Sequence, residues 1–284
     1  GVYKERLSQS ALYYETTRVS DAEADAVRQW MEAQGMKFVT GPDEKLARFQ
    51  AAGIDEVVFL EFSKTFAMLS PDAFAEQVLS KGLGLKELFV GQHFAFGHKR
   101  AGKIADLVAL GGRYGFAVHP MDPVTACGGV VSSTRIRQLI QAGDVGQAAL
   151  LLGRQYAMTG VVAPGAQRGQ ALGWRTANLP VPSDRVVPAD GVYATVTVWN
   201  QRRYDSVSYI GTRPTFDAGE RLLEVHVLDD VLDLYGQQMT VEFIELVRPD
   251  MQFSGAEDLS RQIALDVELA RMMLRKQRDA MEER

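Results

Sequence analysis

The stretches GVYATVTVW (residues 191–199) and YDSVSYI (residues 204–210) decide the fold of the second half of the chain. Apolar and polar side chains tend to alternate in them, as in strands that bury one face. Similar stretches occupy residues 155–162, 222–228 and 239–247, with glycine, proline and aspartate between them. This spacing predicts a small antiparallel barrel or sandwich. An amphipathic helix is predicted over residues 255–275, with an inward face formed by Leu259, Ile263, Val267 and Ala270 or Met273.

The preceding part of the chain, residues 36–152, alternates between strand and helix patterns. Strands are predicted over residues 55–62, 87–90 and 116–118, and helices from Ser70-Pro71 onwards and over residues 104–114. This order favours a parallel sheet covered by helices. Residues 11–14 are predicted as a further strand, and Ser20-Asp21 as the cap of an amphipathic helix. Two short helices are predicted after Ser132, and the domain boundary is placed after Leu152, giving domains at residues 1–152 and 153–284.

Composition and charge limit the classes of function that the chain can have. The 284 residues carry a net charge of −5, which argues against a duplex nucleic-acid binder. A single cysteine, Cys127, fits a reducing compartment. The sequence has no apolar run of membrane-spanning length and no signal-peptide core in its first six residues. We therefore expect a cytoplasmic protein with small-molecule substrates, without nucleic-acid or membrane partners. Its oligomeric state is left open.

A glycine-rich segment, GAQRGQALGWRTAN (residues 165–178), is the densest candidate site. Its glycines would let backbone N–H groups approach an anion that an arginine neutralises. Thr176 and Asn178 are two residues apart, so on a strand their oxygens point to one side and suit Mg²⁺. The alternative is an ordinary glycine-rich hairpin loop. The phosphate-binding candidates are Gly165, Arg168, Gly169, Thr176 and Asn178, of which Thr176 and Asn178 are also the candidate metal ligands.

A second cluster combines YIGTRPTF (residues 209–216) with LEVHV (residues 223–227). Glu224 lies in an apolar alternating strand, where partial removal from water would suit it to act as a base. The alternative is an outward-facing carboxylate, the commoner case for a single glutamate. His226 shares the face of Glu224 but is more often a packed or solvated histidine than a ligand, since nothing nearby completes a metal set.

A third cluster opens a helix with VSSTRIR (residues 131–137). Hydroxyls, helix N-terminal amides and two arginines form a candidate triphosphate site, whereas the alternative is a plain N-cap followed by surface arginines. The basic loop GQHFAFGHKRAG (residues 91–102) follows a strand end, which is where ligands bind in open parallel sheets. The candidate nucleotide site of this half comprises Phe94, Gly97, Ser132, Ser133, Thr134, Arg135 and Arg137.

These clusters, in this order, resemble the bacterial bifunctional riboflavin kinase/FAD synthetase (FMN adenylyltransferase) family from about residue 44 to the C-terminal helix. The most specific segments are SSTRIR (132–137), G-x-x-R-G…T-A-N (165–178), DGVYA (190–194), IGTRPTF (210–216), LEVHVLD (223–229) and DLYG (233–236). The resemblance implies a Rossmann-like nucleotidylyltransferase α/β domain, then a six-stranded riboflavin kinase barrel with a C-terminal helix.

The resemblance also implies roles for individual residues. Thr176 and Asn178 would hold Mg²⁺ and ATP phosphates, and Arg168 with the adjacent glycines would form a loop over the nucleotide. Glu224 would activate the terminal ribityl hydroxyl of riboflavin. Such a set can position the reactants and neutralise charge, which is most of what phosphoryl transfer needs. The function expected is ATP-dependent phosphorylation of riboflavin to FMN.

The chain departs from the family pattern at several positions. The family's N-terminal domain opens with G-x-F-D-G-x-H-x-G-H, which this sequence lacks. His93 stands where the family usually has Asp. Because the G-x-F-D-G-x-H-x-G-H pattern is absent, FAD synthesis is expected to be crippled or lost. In the kinase half, Arg175 replaces the proline of P-T-A-N, and Tyr209 replaces the asparagine before Ile-Gly. The alternatives are a fully bifunctional enzyme, a degenerate flavin- or nucleotide-binding paralogue and a transferase acting on a related substrate.

Overall fold

The computed structural model describes residues 37–58, 60, 64–163, 174–212, 221–230 and 232–282. These residues fall into two compact units. The first contains Thr40–Thr125, and the second contains the chain from Ala126 onwards together with residues 37–39. The strand predicted over residues 11–14 and the helix predicted after Ser20 lie outside the described residues.

Helices and a short sheet make up the first unit. Its elements are α1 (Pro42–Ala51), α2 (Lys64–Ala67), α3 (Pro71–Ala73), which continues as a π-helix (Phe74–Gly82), β1 (Glu87–Gly91), a 3-10 turn (His98–Arg100), α4 (Ile104–Tyr114) and β2 (Ala117–Met121). The helix predicted at Ser70 is confirmed, because the Ser70 hydroxyl accepts a hydrogen bond from the Ala73 amide at 3.1 Å. The helix predicted over residues 104–114 is also confirmed, and it ends at Gly115, whose φ is 83°.

Strands β1 and β2 run parallel, with Phe89 opposite His119. The predicted parallel sheet is therefore present, and it has two strands within the described part of this unit. The core of the unit is formed by Ala75, Leu79, Phe96, Leu107 and Phe116.

The strand predicted over residues 55–62 is wrong for the residues of that stretch that the structure describes. Residues 55–58 and 60 have no regular structure, and Val58 is 51% exposed. β-branched and aromatic residues favour a strand only where a neighbouring strand and a core receive them. No strand among the described residues pairs with this stretch, so its described residues do not form a buried strand.

The second unit is a six-stranded antiparallel sheet curled into a nearly closed barrel. Its elements, with the short hairpin that precedes them, are β3 (Thr125–Ala126), β4 (Gly129–Val130), α5 (Ser133–Gln141), α6 (Val145–Leu152), β5 (Tyr156–Val161), β6 (Ala177–Pro180), β7 (Gly191–Trp199), β8 (Arg202–Thr212), β9 (Arg221–Val227), β10 (Gln238–Pro249) and α7 (Ala256–Glu282). The strand order is β5-β10-β7-β8-β9-β6. At the seam, the Ala163 amide donates to the Asn178 carbonyl oxygen at 2.9 Å. The barrel alternative is therefore confirmed over the sandwich.

Two layers of apolar side chains stabilise this unit. The barrel interior is filled by residues such as Tyr193, Leu223 and Phe243. A second cluster lies where α7 covers the outer face of the sheet, and it contains Val192, Ala194, Val196, Val207, Leu228, Ile244, Val267, Ala270 and Leu274. Val267 and Ala270 were predicted to face inward, and both are buried. No helix in the described ranges is long and apolar enough to cross a membrane.

A buried ion pair joins α7 to the end of β10. The Arg248 guanidinium donates from Nε and Nη2 to the Asp266 carboxylate at 2.9–3.1 Å, and Gln262 donates to the same carboxylate at 2.9 Å. The Asp266 side chain is 3% exposed and that of Arg248 is 16% exposed. This pair is shielded from water, so loss of one partner leaves a poorly solvated charge.

We expect Asp266→Asn to destabilise the protein by roughly 3 kcal/mol, because the Arg248 charge would lose its buried partner. The midpoint of urea-induced unfolding, followed by circular dichroism, measures the effect. Glu268→Gln on the same helix is the matched control, since its 3.9 Å contact with Arg271 is largely exposed. The control is expected to cost less than about 1 kcal/mol. Equal shifts in the two variants would contradict a special role for the Arg248–Asp266 pair.

Candidate active site

Three polar side chains lie in a row across β8, β9 and β6. In the antiparallel register, Tyr209 is opposite Glu224, and Glu224 is opposite Asn178. Directly opposed residues share a face and have Cβ atoms about 5 Å apart. The neighbours of Glu224, Leu223 and Val225, point into the barrel core, so the row lies on the outer face. Two of the sequence-predicted site residues, Asn178 and Glu224, are therefore brought together.

The seam of the barrel places Asn178 and Thr176. Asn178 is 5% exposed, and its backbone carbonyl accepts the hydrogen bond that joins the two edges of the sheet. Thr176 immediately precedes β6 and is half-buried. Strand alternation puts Thr176 on the side of Asn178, and the register of β6 with β9, continued by one residue, sets Thr176 opposite His226. A hydroxyl and an amide therefore follow one another along the seam, and the Glu224 carboxylate lies opposite the amide.

His226 contacts the two residues that precede Thr176 and β6. Its Nδ1 is 2.8 Å from the Arg175 carbonyl oxygen, so Nδ1–H is the donor, and its ring meets Trp174 edge-on at 5.2 Å. Arg175 itself is exposed. His226 was expected to be a packed or solvated histidine, and these contacts are those of a packed one, which holds the backbone one residue before Thr176. In the described part of the chain, no group of three or more His, Cys, Asp or Glu side chains could hold a metal ion.

Tyr209 leans along β8 instead of projecting outward. A Cβ at position 211 would overlap the Tyr209 ring, so Gly211 makes room for that ring. The phenol hydrogen-bonds the Asp250 carboxylate, just beyond the end of β10. Burial raises the pKa of Tyr209 to about 12, and the charge and hydrogen bond of Asp250 add to the effect. The phenol therefore remains protonated, as a donor, at neutral pH.

Asp250 was not recognised from the sequence. It follows Pro249, which lies opposite Gly191 across β10 and β7, and Gly191 lies opposite Ile210 across β7 and β8. Only these two successive registers bring Asp250 to Tyr209. An isolated aspartate after a strand is common, so the sequence offered no signal for it.

The predicted glycine-rich loop residues Gly165, Arg168 and Gly169 lie outside the described residues. Of the described residues on either side of this segment, Ala163 bonds to Asn178, and Trp174 contacts His226. Asn178 belongs to the row of polar side chains, and His226 is two residues from Glu224 on the same strand.

The SSTRIR segment forms the start of α5. Ser132 is the N-cap, and its hydroxyl accepts from the Arg135 amide at 3.2 Å. The Arg135 guanidinium donates to the carbonyls of Ala126 and Cys127, at 2.9 and 2.6 Å, across the turn between β3 and β4. Arg137 donates from Nε to the Lys37 carbonyl at 2.6 Å. Both arginines thus brace backbone segments.

The remaining members of that candidate nucleotide site are divided between the units. Ser133 and Thr134 are exposed on the first turn of α5, in the second unit. Phe94 and Gly97 belong to the first unit. Phe94 stacks on Phe96, with ring centroids 5.8 Å apart. Gly97 has φ 70°, and a Cβ there would lie 2.6 Å from the Pro71 nitrogen, so its backbone conformation and packing both require glycine.

Comparison with known proteins gives the same two-part organisation. A model of the riboflavin kinase family matches residues 152–274, and a model of the FAD synthetase family matches residues 24–135. A kinase barrel and a nucleotidylyltransferase-type domain in one chain define the class. With the relatives described next, these matches show that the chain belongs to the bifunctional riboflavin kinase/FMN adenylyltransferase family.

The alignments with relatives cover most of this chain and most of each relative. The bifunctional riboflavin kinase/FMN adenylyltransferase of Haemophilus influenzae is 36% identical over 80% of this chain and 74% of its own length. That of Listeria monocytogenes is 32% identical over 86% and 77%, respectively. A solved structure from Streptococcus pneumoniae, titled a macrolide-efflux protein, is 31% identical with a TM-score of 0.76, and covers 83% of this chain and 76% of that chain.

Proposed function

We propose that this chain transfers the γ-phosphoryl group of ATP to riboflavin, forming FMN. The observation that carries the proposal is the register that sets Glu224 between Asn178 and Tyr209 on the outer face of the barrel. The match of residues 152–274 to the riboflavin kinase family supports it, as do the activities named for the relatives.

Glu224 would act as the general base of the transfer. Its carboxylate would accept the proton of the terminal ribityl hydroxyl as that oxygen attacks the γ-phosphorus. The new P–O bond forms while the bond to the leaving oxygen of ADP breaks, and its electron pair remains on ADP. Because such transition states are loose, the site contributes mainly alignment and charge stabilisation.

The donor set at the seam fits Mg²⁺. Thr176 offers a hydroxyl oxygen and Asn178 an amide oxygen, and Mg²⁺ takes few protein ligands beside water and phosphates. We propose that these two residues hold the ion, which when bound would neutralise phosphate charge. Arg168, with Gly165 and Gly169, is proposed to cover the nucleotide, as expected from the sequence.

FMN adenylyltransferase is the second candidate activity. The FAD synthetase match to residues 24–135 and the names of the relatives favour it. Against it, the sequence lacks the G-x-F-D-G-x-H-x-G-H pattern, and Arg135 and Arg137 bond to backbone carbonyls. We therefore propose the kinase as the activity of this chain.

The test is to incubate the protein with riboflavin, ATP and Mg²⁺ and to resolve the flavins by chromatography. We expect riboflavin to be consumed and FMN to accumulate, with no FMN when Mg²⁺ is chelated. Flavin binding without FMN at any divalent ion would favour the flavin-binding paralogue. Phosphorylation of another alcohol, with riboflavin untouched, would favour the transferase with a related substrate.

A further inference from the structure

Resting on the proposed kinase function, we infer that Tyr209, held by Asp250, forms the flavin side of the active site and determines affinity for the flavin. Nucleotide affinity would then be set on the opposite side of Glu224. This chain has Tyr209 where the family usually has asparagine, and Tyr209 stands in the row of polar side chains across β8, β9 and β6.

The two flanks of Glu224 differ in chemistry. On the β6 side lie Asn178 and Thr176, whose oxygens suit a metal-bound phosphate. On the β8 side lies the Tyr209 ring, which also packs against the apolar cluster beneath α7. An aromatic face beside a base suits a flat, apolar ring system much better than a triphosphate.

Electrostatics separate the flanks further. Besides Glu224, which lies between the flanks, the carboxylates of Asp250 and Asp190 act on the Tyr209 phenol. Arg221 pairs with Asp190 at 2.8 Å and offsets only part of that negative charge. A polyphosphate would be repelled on this flank, whereas riboflavin carries no charge to be repelled.

The Tyr209 ring is fixed in advance. Gly211 provides the space over which it lies, and Asp250 accepts its hydrogen bond. A ring ordered before binding loses less conformational freedom when a ligand contacts it. The Asp250 carboxylate is thus a positioning group that acts through Tyr209.

The experiment measures KM for riboflavin, KM for ATP and kcat in Tyr209→Leu, Tyr209→Phe, Asp250→Asn and the Tyr209→Phe/Asp250→Asn double variant. Loss of the ring in Tyr209→Leu is expected to raise KM for riboflavin about tenfold. KM for ATP and kcat should stay within about twofold of wild type, because the lost contact binds riboflavin equally well in the ground state and in the transition state. The Phe and Asn variants should each raise KM for riboflavin about threefold, and the double variant no further, because both remove one hydrogen bond.

Tyr204→Phe is the matched control, since Tyr204 lies on the same strand but packs against the barrel interior. It should leave all three constants unchanged. Variants at Tyr209 that raise KM for ATP as much as KM for riboflavin, or that lower kcat alone, would overturn the inference.

Binding separates this inference from the proposed function. Riboflavin affinity can be titrated by flavin fluorescence without turnover. If the wild type binds riboflavin but makes no FMN, and Tyr209→Leu binds riboflavin more weakly, the role of Tyr209 stands and the kinase proposal fails. If the wild type makes FMN and Tyr209→Leu binds riboflavin with unaltered affinity, the kinase proposal stands and the role of Tyr209 fails. Absence of riboflavin binding by the wild type would overturn both.

Discussion

Glu224→Gln is expected to lower kcat for riboflavin phosphorylation by about two to four orders of magnitude, the usual contribution of a general base. The substitution keeps the shape of the side chain and removes its ability to accept the ribityl proton. Glu224 lies between Asn178 and Tyr209 in the register, so a glutamine introduced there retains the same polar neighbours. Riboflavin binding should therefore remain close to that of the wild type.

Steady-state kinetics and fluorescence titration of riboflavin check both parts of this expectation. Glu245→Gln is the matched control, because Glu245 is an exposed carboxylate on β10, away from the row. The Glu245→Gln substitution should change kcat by less than about twofold. If Glu224→Gln retains kcat, Glu224 is structural and the proton is removed by another group.

The chain with the printed sequence is expected not to convert FMN and ATP into FAD at a useful rate. Adenylyl transfer releases pyrophosphate, so negative charge grows on the phosphates in the transition state. Fixed donors aimed at those phosphates are what such a reaction needs, and losing one costs about 100-fold or more. The family pattern supplies paired histidines, but His93, His98, His119 and His226 lie elsewhere in this sequence.

The segment ETTRVSD (residues 15–21), aligned by position with the missing pattern, contains no histidine, and it lies outside the described residues. Arg135 already donates to two backbone carbonyls, so it supplies at best part of the required charge. ATP bound without donors to the α-phosphate stabilises the ground state only, and that does not accelerate the reaction.

The assay supplies FMN, ATP and Mg²⁺ and scores FAD and pyrophosphate, with an intact bifunctional relative run in parallel. We expect FAD from the relative and none above background from this chain. FAD at a comparable rate would mean that other residues replace the histidines.

Local signals in the sequence predicted much of the fold because their causes are local. Ser70 caps a helix through its own hydroxyl, and Gly115 ends one through a positive φ that other residues avoid. The strand over residues 191–199 was predicted with the bounds that the structure shows, Gly191–Trp199. Its ends are marked by Gly191 and by the turn at Asn200 and Gln201, which have positive φ.

Features that depend on distant partners could not be predicted. The pattern of residues 55–62 is typical of a strand, but Val58 finds no partner strand among the described residues. The opposition of Asn178 and Glu224 depends on the pairing of β6 with the distant strand β9, and the contact of Asp250 with Tyr209 depends on two successive registers. Arg135 was expected at a phosphate, and only the turn between β3 and β4 shows that it binds carbonyls.

Phosphoryl transfer from ATP to riboflavin at Glu224 can be followed with ATP labelled in its γ-phosphate. Riboflavin and Mg²⁺ are added to the wild type and to Glu224→Gln, and the label is followed into separated flavins and inorganic phosphate. We expect the wild type to form labelled FMN in amounts equal to the ADP released, and the variant to form at least about 100-fold less labelled FMN. Label that appears only as inorganic phosphate, or equal labelling of FMN by both proteins, would contradict it.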